Sequence, residues 1–203
     1  MSPFPPSNSA NTFPVATAAT AELRRFLLDL LVQGAYREGD FKLSSGQQSS
    51  YYIDCKQVTL AALGSVAIAR LMLPQLLPET LGVAGLTLGA DPIVSAVITV
   101  SAYEGRPLSG SIVRKEAKGH GTRAYVEGPV LPAGARVAVL EDVVTTGNSA
   151  LKAVERLQAV GYTVDSVAIV DRQQGGAELY AEKGIQFSAL VAIPDLQAHA
   201  RRS

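Results

Sequence analysis

The sequence predicts an α/β fold: a mostly parallel central sheet flanked by helices, with a small N-terminal hood. Two observations carry this prediction. From about residue 80 onward, short apolar runs of strand length alternate with helical patterns, the rhythm of βαβ units whose strands are covered on both faces. Before that point a helix and a hairpin stand outside the alternation. The chain has 203 residues, 47% of them hydrophobic, which is enough for one domain with a sizeable core.

Residues 1–18, MSPFPPSNSANTFPVATA, are rich in Pro, Ser, Asn and Ala and are expected to form a flexible tail. They lack a basic start and a continuous apolar stretch, which argues against a secretory signal. Residues 19–203 are expected to form a single domain, with the hood at about 19–58. Within residues 20–33, Leu23, Phe26, Leu27, Leu30 and Leu31 recur at helical spacing, and Gly34 supplies a stop. GDFKLSSGQQSSYYID, residues 39–54, reads as a hairpin with Ser-Gly at its turn. A second helix is expected over 59–73, ended by Pro74.

The alternation follows. GVAGLTLG (82–89) reads as a strand, PIVSAVITVSAYEG (92–105) as a helix and PLSGSIVR (107–114) as a strand. KEAKGHGTRAYVEG (115–128) is a polar loop. ARVAVLED (135–142) is a strand and NSALKAVERLQAVG (148–161) a helix. TVDSVAIVD (163–171), a short helix around 177–182, and IQFSALVAI (185–193) close the series.

Formal net charge is zero and no basic stripe carries interleaved aromatics, which argues against a nucleic-acid partner. The most apolar stretch, 92–102, is too short and too rich in Ser and Thr to span a membrane. Cys55 is the only cysteine, so no intrachain disulfide or cysteine-based metal site is possible. It reads as a small core or strand residue, and a cytoplasmic location is expected.

The chemistry concentrates after the strand at 135–142. Glu141 and Asp142 end an apolar run, and ligands of open α/β sheets bind beyond the carboxyl ends of strands. Val143, Val144, Thr145, Thr146, Gly147, Asn148 and Ser149 then offer successive amides, hydroxyls and a glycine at a helix start. Such a turn suits a phosphate. It is neither a P-loop nor a Rossmann turn, because neither glycine pattern is present. Two carboxylates beside a phosphate cradle suit a ribose 5-phosphate. The acids would accept bonds from its hydroxyls and help place Mg²⁺, which prefers oxygen ligands.

VLEDVVTTG resembles the 5-phosphoribosyl 1-diphosphate (PRPP) motif of type I phosphoribosyltransferases. Three further stretches resemble the orotate phosphoribosyltransferases among them. RKEAKGHGT, residues 114–122, is similar to their cationic lid and holds Arg114, Lys115, Lys118 and His120. FKLSSGQQSSYYID resembles their hood hairpin, and AIVDRQQGG their D-R-x-x-G segment with Arg172. Ser44 and Asp91 depart from the family pattern, where lysines are common nearby.

The resemblance implies transfer of the phosphoribosyl group from PRPP to orotate, giving orotidine 5′-monophosphate and diphosphate on the route to pyrimidine nucleotides. Glu141 and Asp142 would hold the ribose and influence charge at C1, and residues 143–149 would cradle the 5-phosphate. Arg114, Lys115, Lys118 and His120 would neutralise the leaving group, with Lys118 and His120 on the moving part of the lid. Thr145 and Arg172 would fix orotate. Mg²⁺ would be held mainly through PRPP, with Asp142 the candidate side chain and no all-protein site. A homodimer with a shared active site is implied, Lys115 taking the position that reaches the neighbouring subunit. A phosphoribosyltransferase for another base, and a non-catalytic PRPP-binding regulator, remain the alternatives.

Overall fold

In the computed structural model, residues 13–42, 46, 48–118 and 125–202 are described. Helix α1 (Thr20–Leu30) buries Leu23 and Leu27 on one side, and the amide of Ala19 donates to Glu22 Oε2 at 3.1 Å across its first turn. A π-helical turn, Leu31–Ala35, extends it one residue beyond the expected stop. Strands β1 (Tyr36–Lys42) and β2 (Gln48–Ile53) pair antiparallel as a separate two-stranded sheet, so the hairpin stands outside the main sheet as expected. Ser44 lies outside the described residues.

The tail expectation requires correction over residues 13–18. Val15 and Ala18 are buried, and Phe13 stacks on Phe26 with ring centroids 4.1 Å apart. Arg70 donates to the carbonyls of Val15 (2.8 Å) and Ala18 (3.0 Å). Apolar residues spaced among prolines are enough to dock this segment once a complementary surface exists.

The single helix expected over 59–73 is two: α2 (Lys56–Thr59) and α3 (Ala62–Met72), followed by a 3-10 turn at Leu73–Gln75. Val58 and Thr59 face the interior while Leu60 is exposed, and Ala61, between Leu60 and α3, is extended. An extended residue interrupts the i→i−4 hydrogen-bond ladder, so the helix ends before it and starts again at Ala62.

The main sheet comprises β3 (Thr80–Leu86), β4 (Ser109–Val113), β5 (Val126–Glu127), β6 (Arg136–Val144), β7 (Thr163–Asp171) and β8 (Phe187–Ala192). Their order is β5-β4-β3-β6-β7-β8, and every pairing is parallel except β4 with β5. β5 falls within the stretch expected to be loop. Two residues are too few to display a period, and its pairing of Val113 with Val126 is tertiary.

Helices α4 (Asp91–Tyr103), α5 (Asn148–Ala159), α6 (Gly176–Glu182) and α7 (Ile193–Ala200) complete the fold. One core joins buried side chains of α1, α3, α4 and α7 to one face of the sheet, and a second joins α5 and α6 to the other. α7 is an addition to the expected series. Leu196 on it is fully buried, and His199 Nε2 lies 2.6 Å from Asp29 Oδ1. His199 thus ties α7 to α1.

The chain leaves β3 for β4 in one direction and β6 for β7 in the other, so the sheet has a switch point between β3 and β6. The carboxyl ends of both strands open onto a crevice there.

Candidate active site

β6 delivers Glu141 and Asp142 to this crevice. Because successive strand residues point to opposite faces, the two carboxylates diverge. Glu141 lines a small cavity of about 70 Å³ with residues 143–150 and Tyr180. Asp142 turns toward the loop after β3 and the hood: a Cβ added at Gly89 would stand 3.0 Å from Asp142 Oδ2, and the Cys55 thiol contacts the Asp142 carbonyl at 3.9 Å. This divergence relieves the repulsion that adjacent acids would otherwise suffer.

Both carboxyls titrate high. Burial raises Glu141 to about 8, with Asp142 adding to the effect and Lys115 opposing it. Burial also raises Asp142, against a bond from the Val143 amide (2.9 Å) and the positive charge of Lys56. Glu141 Oε1 is buried with no hydrogen-bond partner among the described residues. A buried polar atom without a partner is costly, so this oxygen is prepared for a donor that arrives with a ligand.

Residues 145–147 turn over the start of α5, where Gly147 has φ +79°. The first amides of α5 have no intrahelical acceptor and face the turn. Tyr180 supports the turn from below: it is fully buried and its hydroxyl donates to the Gly147 carbonyl at 3.2 Å. Gly176 backs the same turn, since a Cβ there would meet Val144 Cγ1 at 2.4 Å and the Thr145 carbonyl at 3.0 Å. Asn148 Nδ2 donates to Thr146 Oγ1 at 3.0 Å.

Arg172 follows β7, and its amide donates to the Val144 carbonyl at 2.9 Å, which sets it beside Thr145. It is buried. Its Nε donates to the Tyr51 hydroxyl at 2.8 Å and its Nη2 to Ser49 Oγ at 3.2 Å, with the guanidinium carbon 4.6 Å from the Tyr51 ring centre. No carboxylate among the described residues forms a salt bridge with it. A buried cation paired only with neutral groups calls for an anion.

The cationic segment leaves β4. Arg114 pairs with Glu127 at 2.8 Å, Lys118 approaches the same carboxylate at 3.8 Å, and Lys115 is exposed within electrostatic range of Glu141. His120 lies outside the described residues. The structure therefore gathers Glu141, Asp142, residues 143–149, Arg172 and Lys115 at one end of the sheet, while Arg114 and Lys118 turn toward Glu127. Tyr51, Tyr180 and Lys56 are additions that sequence reading did not single out. The pair Tyr51 and Tyr52 was visible in the hood stretch, but which of the two turns inward is set by hairpin register.

No family model matches the chain. An orotate phosphoribosyltransferase of Nostoc sp. is 66% identical over 183 residues, 90% of this chain and 89% of that protein. The crystal structure of Mycobacterium tuberculosis H37Rv orotate phosphoribosyltransferase in complex with Fe(III) dicitrate is 39% identical, with a TM-score of 0.76 over 86% of this chain and 98% of that one. The same enzyme in complex with PRPP is 36% identical, with a TM-score of 0.71 over 86% and 99%. Identity at this level over nine-tenths of the length, on a shared fold, has one meaning: the chain belongs to the orotate phosphoribosyltransferase family.

Proposed function

We propose that this protein transfers the 5-phosphoribosyl group of PRPP to orotate, yielding orotidine 5′-monophosphate and diphosphate in pyrimidine-nucleotide synthesis. The observation that carries this reading is Arg172: a buried guanidinium with no carboxylate partner among the described residues, hydrogen-bonded through its backbone to the strand that enters the phosphate turn. Its planar fork suits the orotate carboxylate. The relatives named for this activity, and a PRPP-bound neighbour, support it.

In the reaction the C1–O bond to diphosphate breaks as a C1–N bond to orotate forms, with positive charge developing at C1. The protein's part is placement and charge. The amides of residues 143–149 and the hydroxyls of Thr145, Thr146 and Ser149 hold the 5-phosphate. Glu141 and Asp142 accept from the ribose hydroxyls and face the developing cation. Arg114, Lys115 and Lys118 stabilise the departing diphosphate, and His120 carries the same assignment from the sequence alone. Thr145 and Arg172 orient orotate, with the hood, about residues 19–58, covering it.

Among the described residues no cluster of three or more metal-ligating side chains occurs, while Asp142 and the partnerless Glu141 oxygen supply carboxylate donors. That donor set fits Mg²⁺ held through the substrate, with Asp142 the side chain to hold it. Magnesium, when bound, neutralises charge on the diphosphate.

We further place the enzyme in the cytoplasm as a homodimer, with Lys115 reaching a neighbouring site. No helix among the described residues is long and apolar enough to cross a membrane. Sedimentation of an active form as a strict monomer would remove the dimer from this account.

An acceptor panel of orotate, uracil, hypoxanthine and adenine with PRPP and Mg²⁺, monitored by diphosphate release, tests the reading. Turnover with orotate alone is expected. Release with a purine or uracil, or PRPP binding without release on any acceptor, would overturn it.

A further inference from the structure

α5 carries the phosphate turn at its first residues and Arg156 two turns further on. The Arg156 guanidinium donates from Nη1 to the carbonyl of Arg114 and from Nη2 to the carbonyl of Lys115 at 3.0 Å. The same group lies over the ring of Tyr125, 4.2 Å from its centre. The amide of Arg114 in turn donates to the Tyr125 carbonyl at 2.8 Å. Arg156 thus holds the outgoing and the returning arm of the cationic segment, just where it leaves β4 and rejoins β5. Its donors go to main-chain carbonyls, a task that suits a rigid planar fork better than an ammonium.

We propose that Arg156 is a positioning residue: it sets the place of Arg114 relative to this chain's phosphate cradle and the course of Lys115 toward the neighbouring site. The inference rests on the reading above that these two cations meet the diphosphate. The physical link is α5 itself. At ~1.5 Å per residue, Asn148 and Arg156 stand about 12 Å apart along one rigid rod. A ligand with phosphate at both ends engages both sites only if their separation is held, and a misplacement of about 1 Å can cost a large part of the rate. A residue fixed on the helix that forms one site, and gripping the backbone of the other, holds that separation.

The test compares wild type with Arg156→Gln, Tyr125→Leu, Arg114→Ala and Lys115→Ala. Calorimetry follows inorganic diphosphate and ribose 5-phosphate as separate probes, and initial rates give KM for PRPP. Arg156→Gln and Tyr125→Leu are each expected to weaken diphosphate binding about tenfold and to raise KM for PRPP, with ribose 5-phosphate affinity held within about twofold. Equal weakening of both probes would mean general damage to α5 and would overturn the proposal, as would no change in either. Loss in Arg156→Gln with wild-type binding in Tyr125→Leu would make Arg156 a direct ligand, which also overturns it. If Arg114→Ala and Lys115→Ala both leave diphosphate binding unchanged, the reading of the cationic segment fails, and this inference fails with it. If those two weaken diphosphate while Arg156→Gln does not, only the positioning role fails.

Discussion

Nε of Arg172 donates to the phenolic oxygen of Tyr51 at 2.8 Å, joining the end of β7 to the hood across 121 positions of sequence. Tyr51 also sets its ring beneath the guanidinium, and Ser49 holds Nη2. The hood therefore aims the cation assigned to orotate.

Tyr51→Phe keeps the ring and removes the acceptor, leaving a buried Nε–H without a partner at a cost of about 1–3 kcal/mol. KM for orotate is expected to rise about tenfold, the effect of ~1.4 kcal/mol, with KM for PRPP close to wild type. Initial rates with each substrate varied in turn measure this. A parallel rise in both constants would point to a damaged hood.

The Glu141 carboxyl titrates near 8 in the folded protein because it is buried, against an ordinary value of 4.5. The unfolded chain gives up this proton first, so between those values the folded state binds more protons and stability falls as pH rises. Glu141→Gln cannot ionise and escapes that loss. Its melting temperature is expected to decline less than that of wild type between about pH 5 and pH 8.

The same group couples ligand binding to protons. Wild-type protein holds Glu141 protonated at neutral pH, and ribose hydroxyls and a bound cation favour the ionised form. Binding of PRPP with Mg²⁺ is expected to release about one proton, read by calorimetry in buffers of different ionisation heat. Glu141→Gln should lack that part of the release and bind PRPP more weakly. Equal proton release in the two proteins would remove Glu141 from the contact.

Much of this site was legible because its parts are local. The run from Glu141 to Ser149 is one strand end and one helix start, and both follow from residue order. Tyr180 and Arg156 were not legible, because each acts on backbone more than thirty positions away through contacts that only the packed sheet creates. The break at Leu60–Ala61 escaped periodicity for a similar reason: apolar residues lie on both sides of it, and only burial separates Val58 from Leu60. The short β5 depends wholly on β4 for its existence.

Gly176 illustrates a local residue with a remote task. Its missing side chain lets α6 sit against the phosphate turn, within 3.3 Å of the Gly147 amide nitrogen as measured from an added Cβ. Gly176→Ala forces either Val144 or the Thr145 backbone to move, with an overpacking penalty of about 1–3 kcal/mol. Melting should show that loss, and ribose 5-phosphate affinity should fall while orotate binding through Arg172 is less affected. A variant with wild-type ribose 5-phosphate affinity would show that the turn tolerates displacement.

Glu127 competes for the cations assigned to diphosphate. Its carboxylate is held below the usual range first by the Arg114 bond and then by the Lys118 charge. Exposed pairs of this kind are weak and screened by salt. Glu127→Gln is therefore expected to tighten inorganic diphosphate binding by only about twofold, an effect that fades at high ionic strength. Lys118→Ala acts on the other side of the balance. If Lys118 meets charge that develops as diphosphate departs, kcat falls by about 10²–10³. A change in KM alone would assign it to ground-state binding instead. Combining the two substitutions separates the roles: with Lys118 gone, Glu127→Gln can free only Arg114, so its gain in diphosphate affinity should shrink, whereas an undiminished gain would show that the Lys118–Glu127 approach carries no energy in solution.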